Sequence, residues 1–219
     1  MREPSRKFLA VAISSAILTG LTVIAVALSQ SMPSPTPQQK GEPANSLEVK
    51  PMPVKGATTA PRNQQTAIFA AGCFWGVENR FRREPGVYAT AVGYIGGVTD
   101  NPTYKQVCTG TTGHAEGVLV IYDADKTDYA TLLQVFFEAH DPTTLNRQGP
   151  DVGTQYRSAV FFQNPEQRRL AVAAIQQAND SGKFRSPVVT TLEPAGQFWF
   201  AELYHQQYNE KRGIDSCGL

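Results

Sequence analysis

The stretch TAIFAAGCFWGVENRFRR, residues 66–83, changes its pattern at Gly72. Before the glycine, TAIFAAG (66–72) is a short apolar run of the kind that forms a buried strand. After it, Phe74, Val77 and Phe81 recur at helical spacing with Arg and Glu on the other side, and the run stops at Pro85-Gly86. A strand that turns directly into a helix puts Cys73 in the first helical turn. There, unpaired N–H groups and the positive end of the helix dipole favour thiolate over thiol. Two readings of Cys73 stay open on these residues alone. It is a reactive thiol beside an apolar cup of Phe74 and Trp75, or a small buried hydrophobe among core aromatics.

Downstream, VYATAVGYIGG (87–97) is β-branched and aromatic up to the Gly96-Gly97 turn, and GVLVIYD (117–123) is a further strand. Between them TDNPTYKQVCTGTTGHAE (99–116) is loop, with at most a short helix near 103–108, and brings Tyr104 and Glu116 to loop or strand-edge positions. DYATLLQVFFEAH (128–140) is an amphipathic helix closed by Asp141-Pro142, with Asp141 as its structural cap. TTLNRQGPDVGTQYR (143–157) is a long polar loop holding Asp151 and Tyr156, and SAVFF (158–162) is a strand. Asn164, Pro165 and Gln167 read as N-cap, N1 proline and capping-box residue of a helix that runs to Gly182. PVVTTLEP (187–194) is a strand, FWFAELYHQQYNEK (198–211) is helical around its middle, and RGIDSCGL is an irregular tail. This mixture predicts an α+β or α/β two-layer domain.

The first third of the chain is different. Arg2, Arg6 and Lys7 precede an uncharged segment, residues 8–29, whose helix would reach roughly 33 Å, enough to cross a bilayer core. The positive flank predicts export of the remainder. The segment is either an uncleaved membrane anchor or a signal peptide, with Ala27-Leu28-Ser29 a passable cleavage site. Residues 30–65, rich in Pro, Gln, Ser and Thr, read as a disordered linker. The folded domain is then 66–219, large enough for a core without disulfides. Lys plus Arg number 20 against 19 Asp plus Glu. With no basic stripe, nothing predicts a nucleic-acid partner. Cys73, Cys108 and Cys217 are too widely spaced for a disulfide framework, and no paired ligand spacing predicts a metal.

Six segments carry more than composition does: GCFWGVE, GYIGG, NPTYKQVCTGTTGHAEGV, HDPTT, GPDVGTQYRS and YHQQY. In order and spacing the chain resembles the A-type peptide methionine sulfoxide reductases over roughly residues 66–217. The resemblance implies an α+β fold, a two-layer α/β sandwich with a central mixed sheet, long catalytic loops and an irregular C-terminal tail. It implies reduction of methionine S-sulfoxide, free or within proteins, with Cys73 as the nucleophile that becomes a sulfenic acid. Glu116 matches the proton donor, and the chemistry needs it protonated at neutral pH, which partial burial would favour. Tyr104 and Tyr156 match phenols that hydrogen-bond the sulfoxide oxygen. Asp151 matches an acid that orders water or polar substrate atoms, and Phe74 and Trp75 hold the substrate methyl.

Cys217 matches the family's recycling cysteine. This implies a Cys73–Cys217 disulfide reduced by a thioredoxin-like protein, with no bound cofactor. Some members carry two cysteines in a longer tail, whereas Cys217 here stands alone two residues from the last residue. Cys108 reads as buried and structural, with a resolving role as the alternative, and His114 and His205 as supports. With export, the implied partners are oxidised exported proteins, free methionine sulfoxide, a thioredoxin-like reductant and, if the anchor is uncleaved, the membrane through residues 8–29. Two other function classes stay open. One is a catalytically silent exported domain that binds methionine-rich partners, against which the set Cys73, Glu116, Tyr104, Tyr156 and Cys217 speaks. The other is a thiol peroxidase or disulfide enzyme, which would not need the Phe74-Trp75 cup and for which CxxC is missing.

Overall fold

The computed structural model describes residues 49–214. The uncharged segment 8–29, linker residues 30–48 and Cys217 lie outside the described residues. In chain order the described residues form β1 (Met52–Pro53), β2 (Gln64–Ala71), α1 (Phe74–Phe81), β3 (Val87–Ile95), α2 (Tyr104–Val107), β4 (Ala115–Asp123) and α3 (Tyr129–Glu138). There follow β5 (Arg147–Gln148), β6 (Asp151–Val152), β7 (Ser158–Phe162), α4 (Pro165–Asp180), β8 (Thr191–Pro194), β9 (Trp199–Phe200) and α5 (Tyr208–Lys211). A 3₁₀ turn, Thr154–Tyr156, precedes β7.

The main sheet runs β1-β3-β4-β2-β7-β8, with β9 also on β3. Its pairings are antiparallel except for β7 with β8, so the sheet is mixed. Strand alternation divides its side chains cleanly. Ala67, Phe69, Ala71, Val92, Val118, Val120 and Val160 share one core with Val77 and Phe81 of α1, Leu132 and Phe136 of α3, and Ala171 of α4. Ile68, Ala70, Ala159 and Phe161 face the other way, toward Ala195 and Phe198. Helices on one face and a covering segment on the other make the α+β two-layer sandwich. Phe69 sits at its centre, stacked on Phe81 at 5.0 Å, Phe136 at 5.4 Å and Tyr129 at 5.9 Å. Each such buried large side chain contributes about 1.5–3 kcal/mol.

Local capping follows the sequence. Asn164 accepts from the Gln167 N–H at 2.9 Å, Pro165 opens α4, and Asp128 accepts from the Thr131 N–H at 2.7 Å to open α3. Asp141, expected as a cap after α3, instead closes the next turn, accepting from the N–H and hydroxyl of Thr143 at 2.9 and 2.6 Å, while Ala139 is the C-cap of α3.

Four further expectations are corrected. The segment 198–211 is not a helix around its middle. Trp199 and Phe200 pair with Tyr94 and Gly93, and helix forms only from Tyr208. The open edge of β3 wins over helical propensity, because the buried Gln206 side chain bonds both the N–H and the carbonyl of Val92 at 2.9 Å. Glu78 does not lie on an exposed face of α1. It is buried, accepting from Thr90, from the Gln207 side chain and from the Gln207 N–H at 2.8–3.1 Å. The expected linker does not run free to residue 65. Met52 and Pro53 pair with Thr90 and Ala89, where an edge position suits a proline, and Gln64 already belongs to β2. Cys108 is not buried. It is exposed at the C-cap of α2.

Candidate active site

The switch at Gly72 is a real strand-to-helix junction. Gly72 has φ +96°, and a Cβ there would meet the Cβ and Cγ of Gln148 at 2.7 Å. Gln148 is itself held, accepting from the Asp141 N–H at 3.2 Å and donating to the Asp141 carbonyl at 3.0 Å. Gly72→Ala therefore combines left-handed strain with a collision against a braced side chain. It is expected to destabilise the domain by about 1–3 kcal/mol and to move Cys73, seen as a lower melting temperature and a slower single turnover.

Cys73 is the N-cap of α1, its carbonyl accepting from the N–H groups of Gly76 and Val77 at 3.2 and 3.4 Å. One of the N–H groups expected to favour a thiolate at Cys73 is engaged by another side chain. The Phe74 N–H, next to Cys73, donates to Glu116 Oε2 at 3.0 Å.

Glu116 is the second residue of β4, paired with Tyr94 of β3, and is buried rather than at a loop or open strand edge. Its parity with Val118 and Val120 turns it to the helix face, toward α1. Burial pushes its carboxyl up to about 8, the Phe74 N–H opposes this, and the charge of Asp151 adds to it. Desolvation outweighs the single hydrogen bond, so near pH 7 this carboxyl carries a proton. With Oε2 accepting from Phe74, the proton falls on the other oxygen.

The remaining predicted residues converge on this pair from separate loops. Tyr104 opens α2, and Tyr156 ends the 3₁₀ turn after the β5–β6 hairpin that holds Asp151. Burial raises both phenols well above their ordinary range, and the charges of Glu116 and Cys108 act on both of them. Tyr156 also feels Cys73 and Asp151. Thus Tyr156 lies within electrostatic reach of Cys73, Tyr104, Glu116 and Asp151, and Glu116 within reach of Tyr104 and Asp151, across a span of more than eighty residues of sequence. Arg157 holds the two loops together, donating to the carbonyls of Gly113 and Thr154 at 3.1 and 3.2 Å.

The aromatic pair behaves unequally. Phe74 is fully buried against Tyr94 and His205, at centroid separations of 6.0 and 5.2 Å, whereas Trp75 stays partly open. The indole of Trp75 stacks on Tyr208 at 3.8 Å, and its Nε1–H donates to His205 Nδ1 at 3.0 Å. Arg212 covers the Tyr208 ring at 3.7 Å. His205 is therefore a support, as expected. So is His114, which accepts from the Gly97 N–H at 3.1 Å and bonds the Thr99 carbonyl at 2.8 Å. Cys108, though exposed, hydrogen-bonds the Tyr104 phenol; partial desolvation pushes its thiol up, that bond opposes the shift, and the charges of Glu116 and Glu202 add to it. The expected resolving residue, Cys217, lies outside the described residues.

Sequence reasoning missed Glu202, Gln148, Arg157 and Tyr208. Each sits inside a motif already quoted or beside one. Their roles come from partners in other segments, which no local pattern reveals.

A family model described as peptide methionine sulfoxide reductase matches residues 65–218. The chain belongs to the peptide methionine sulfoxide reductase family. It is 59% identical over 156 residues to the peptide methionine sulfoxide reductase MsrA of Methanoculleus marisnigri, covering 71% of this chain and 95% of the relative. To the MsrA of Azorhizobium caulinodans it is 48% identical over 195 residues, covering 86% and 88%. Among solved structures, methionine sulfoxide reductase A of Corynebacterium diphtheriae superposes with a TM-score of 0.67 at 38% identity, covering 77% of this chain and 85% of that one. Reduced Mxr1 of Saccharomyces cerevisiae superposes at 0.66 and 34% identity, covering 73% and 92%. The chain is thus an oxidoreductase of the methionine sulfoxide reductase class, and its α+β sandwich is the fold of that family.

Proposed function

We propose that the chain reduces methionine S-sulfoxide, free and within proteins, with Cys73 as nucleophile and Glu116 as general acid. Cys73 attacks the sulfoxide sulfur while Glu116 delivers its proton to the oxygen. A charged oxygen leaves sulfur poorly, so proton transfer accompanies bond breaking. The bond from Cys73 Sγ to the substrate sulfur forms as the protonated oxygen leaves as hydroxide. The hydroxide then attacks Cys73 Sγ, and the S–S bond breaks with its electron pair going to methionine, which departs as a thioether. Cys73 is left as a sulfenic acid. Tyr104 and Tyr156, kept neutral by burial, donate hydrogen bonds to the oxygen, and Asp151 orders water or polar substrate atoms. Trp75, with Phe74 packed beside it, holds the substrate methyl. The observation that carries this reading is Glu116, a buried carboxyl with its pKa near 8, bonded to the peptide N–H beside Cys73.

Cys217 then attacks the sulfenic sulfur, a water leaves, and the Cys73–Cys217 disulfide is reduced by the dithiol of a thioredoxin-like protein. No bound cofactor takes part. The positive flank and uncharged segment 8–29 support export, and repair of oxidised exported proteins as the setting.

The test is NADPH consumption with thioredoxin and its reductase on the two sulfoxide epimers. Turnover of the S epimer is expected, and activity on the R epimer alone would sink the assignment. For recycling, Cys217→Ser is expected to release about one methionine per enzyme and then stall. Sustained turnover of that variant would transfer the resolving role to Cys108 or to direct reduction.

A further inference from the structure

Glu202 lies beside the site yet has no part in the chemistry above. It follows β9 in the segment that the β3 edge pulls out of helical form. Its Oε1 accepts from the Tyr104 N–H at 3.0 Å, and its Oε2 accepts from the Tyr94 hydroxyl at 2.9 Å. Tyr104 is the first residue of α2, whose N–H has no acceptor within the helix. Glu202 supplies that acceptor together with a negative charge at the positive end.

The second contact is as informative as the first. Tyr94 is buried in β3 and is the register partner of Glu116 on β4. One carboxylate therefore ties the residue that bears the Tyr104 phenol to the strand neighbour of the proton donor. The same oxygen stands 3.8 Å from His205 Nε2, and the Nδ1 of that ring accepts from Trp75. A four-residue helix has almost no cooperative stability of its own. The Thr103–Gln106 capping box closes the turn of α2, but it does not set where that turn sits relative to the sheet. The buried Val107 anchors the far end of α2 in the core, and the bond from the Tyr104 N–H to Glu202, itself held by Tyr94, fixes its first residue.

We propose that Glu202 is a positioning residue that places the Tyr104 phenol relative to Cys73 and Glu116 by holding the start of α2 against Tyr94 of β3. Its role rests on the one proposed above for the Tyr104 phenol. Glu202 also touches Tyr94 and lies near His205, so the proposal requires that its loss act through the Tyr104 phenol rather than through those two neighbours. A misplacement of about 1 Å at a reacting centre costs up to about a hundredfold in rate.

The experiment is a double-mutant cycle of Glu202→Ala and Tyr104→Phe. It is read as the single-turnover rate of methionine release at saturating free methionine S-sulfoxide, with melting temperatures recorded for each protein. Each single variant is expected to slow release by about ten- to a hundredfold. The double variant should be no slower than the slower single, within about twofold, because the two residues act as one unit. Glu202→Gln should stay within about threefold of the parent. Its carbonyl still accepts from the Tyr104 N–H, and the Tyr94 hydroxyl can turn to accept from the amide.

Multiplicative losses in the double variant would overturn the proposal. So would an unaltered rate in Glu202→Ala, or a Glu202→Gln variant as slow as Glu202→Ala. A Tyr104→Phe protein as fast as the parent would instead remove the phenol role itself, a result distinct from additivity. If Glu202→Ala does not fold, Glu202→Asp withdraws the carboxylate by one methylene and enters the same cycle. A loss that persists undiminished on top of Tyr104→Phe then overturns the proposal.

Discussion

Cys73→Ser is expected to lower the single-turnover rate of methionine release by at least about a thousandfold while leaving the fold intact. A serine hydroxyl is not ionised at neutral pH and is a poor nucleophile toward sulfur, so nothing at this position replaces a thiolate. The fold should not suffer. Cys73 is the N-cap of α1, and serine is among the preferred residues at such a cap, where its oxygen can accept from the first-turn N–H groups. Its melting temperature should equal that of the parent or exceed it. Loss of rate with retained stability separates lost chemistry from lost structure, which a bulkier substitution would confuse. Residual rate above about one percent of the parent would show that another group reduces the sulfoxide, and Cys108 would be the first to test.

Glu116→Gln is expected to slow the same step by about a hundred- to a thousandfold and to remove an alkaline limb from its pH profile. The glutamine carbonyl keeps the bond from the Phe74 N–H, but its amide has no acidic proton to give. In the parent the carboxyl holds its proton up to about pH 8. The rate should therefore fall as pH rises through that value, and the variant should show no such fall.

Stability carries the same signature with a defined sign. The carboxyl ionises near 4.5 when unfolded and near 8 when folded. The stabilising contribution of its neutral form is whole below about pH 4.5 and is lost as pH rises to about 8. Relative to the parent, Glu116→Gln should thus gain melting temperature across that window and hold the gain above it. A parent whose stability and rate ignore this window would remove Glu116 as the general acid.

How far the site was legible depended on the distance over which each residue acts. The Gly72–Cys73 junction could be read because the change from strand to helix spacing falls within a dozen residues. Tyr104, Glu116, Asp151 and Tyr156 were legible as members of motifs, and the structure places them near one another, with Tyr156 near Cys73 and Glu116 bonded to the N–H of Phe74. The helix expected around the middle of 198–211 failed because Gln206 finds its partner in Val92, 114 residues away. Glu78 looked like a surface charge because its donors, Thr90 and Gln207, lie on two other elements. The same holds for Glu202, whose partners Tyr94 and Tyr104 precede it by 108 and 98 residues.

The sequence by itself therefore determined which side chains exist to do chemistry and where the nucleophile stands, since both follow from residue type and short-range periodicity. Tertiary structure decided their states. Whether Glu116 carries a proton at neutral pH depends on how much water the sheet and α1 exclude, and whether Tyr104 is held depends on a carboxylate delivered by the segment that follows β9, 98 residues on. Desolvation and long-range hydrogen bonding are properties of packed surfaces, and no stretch of the chain contains them.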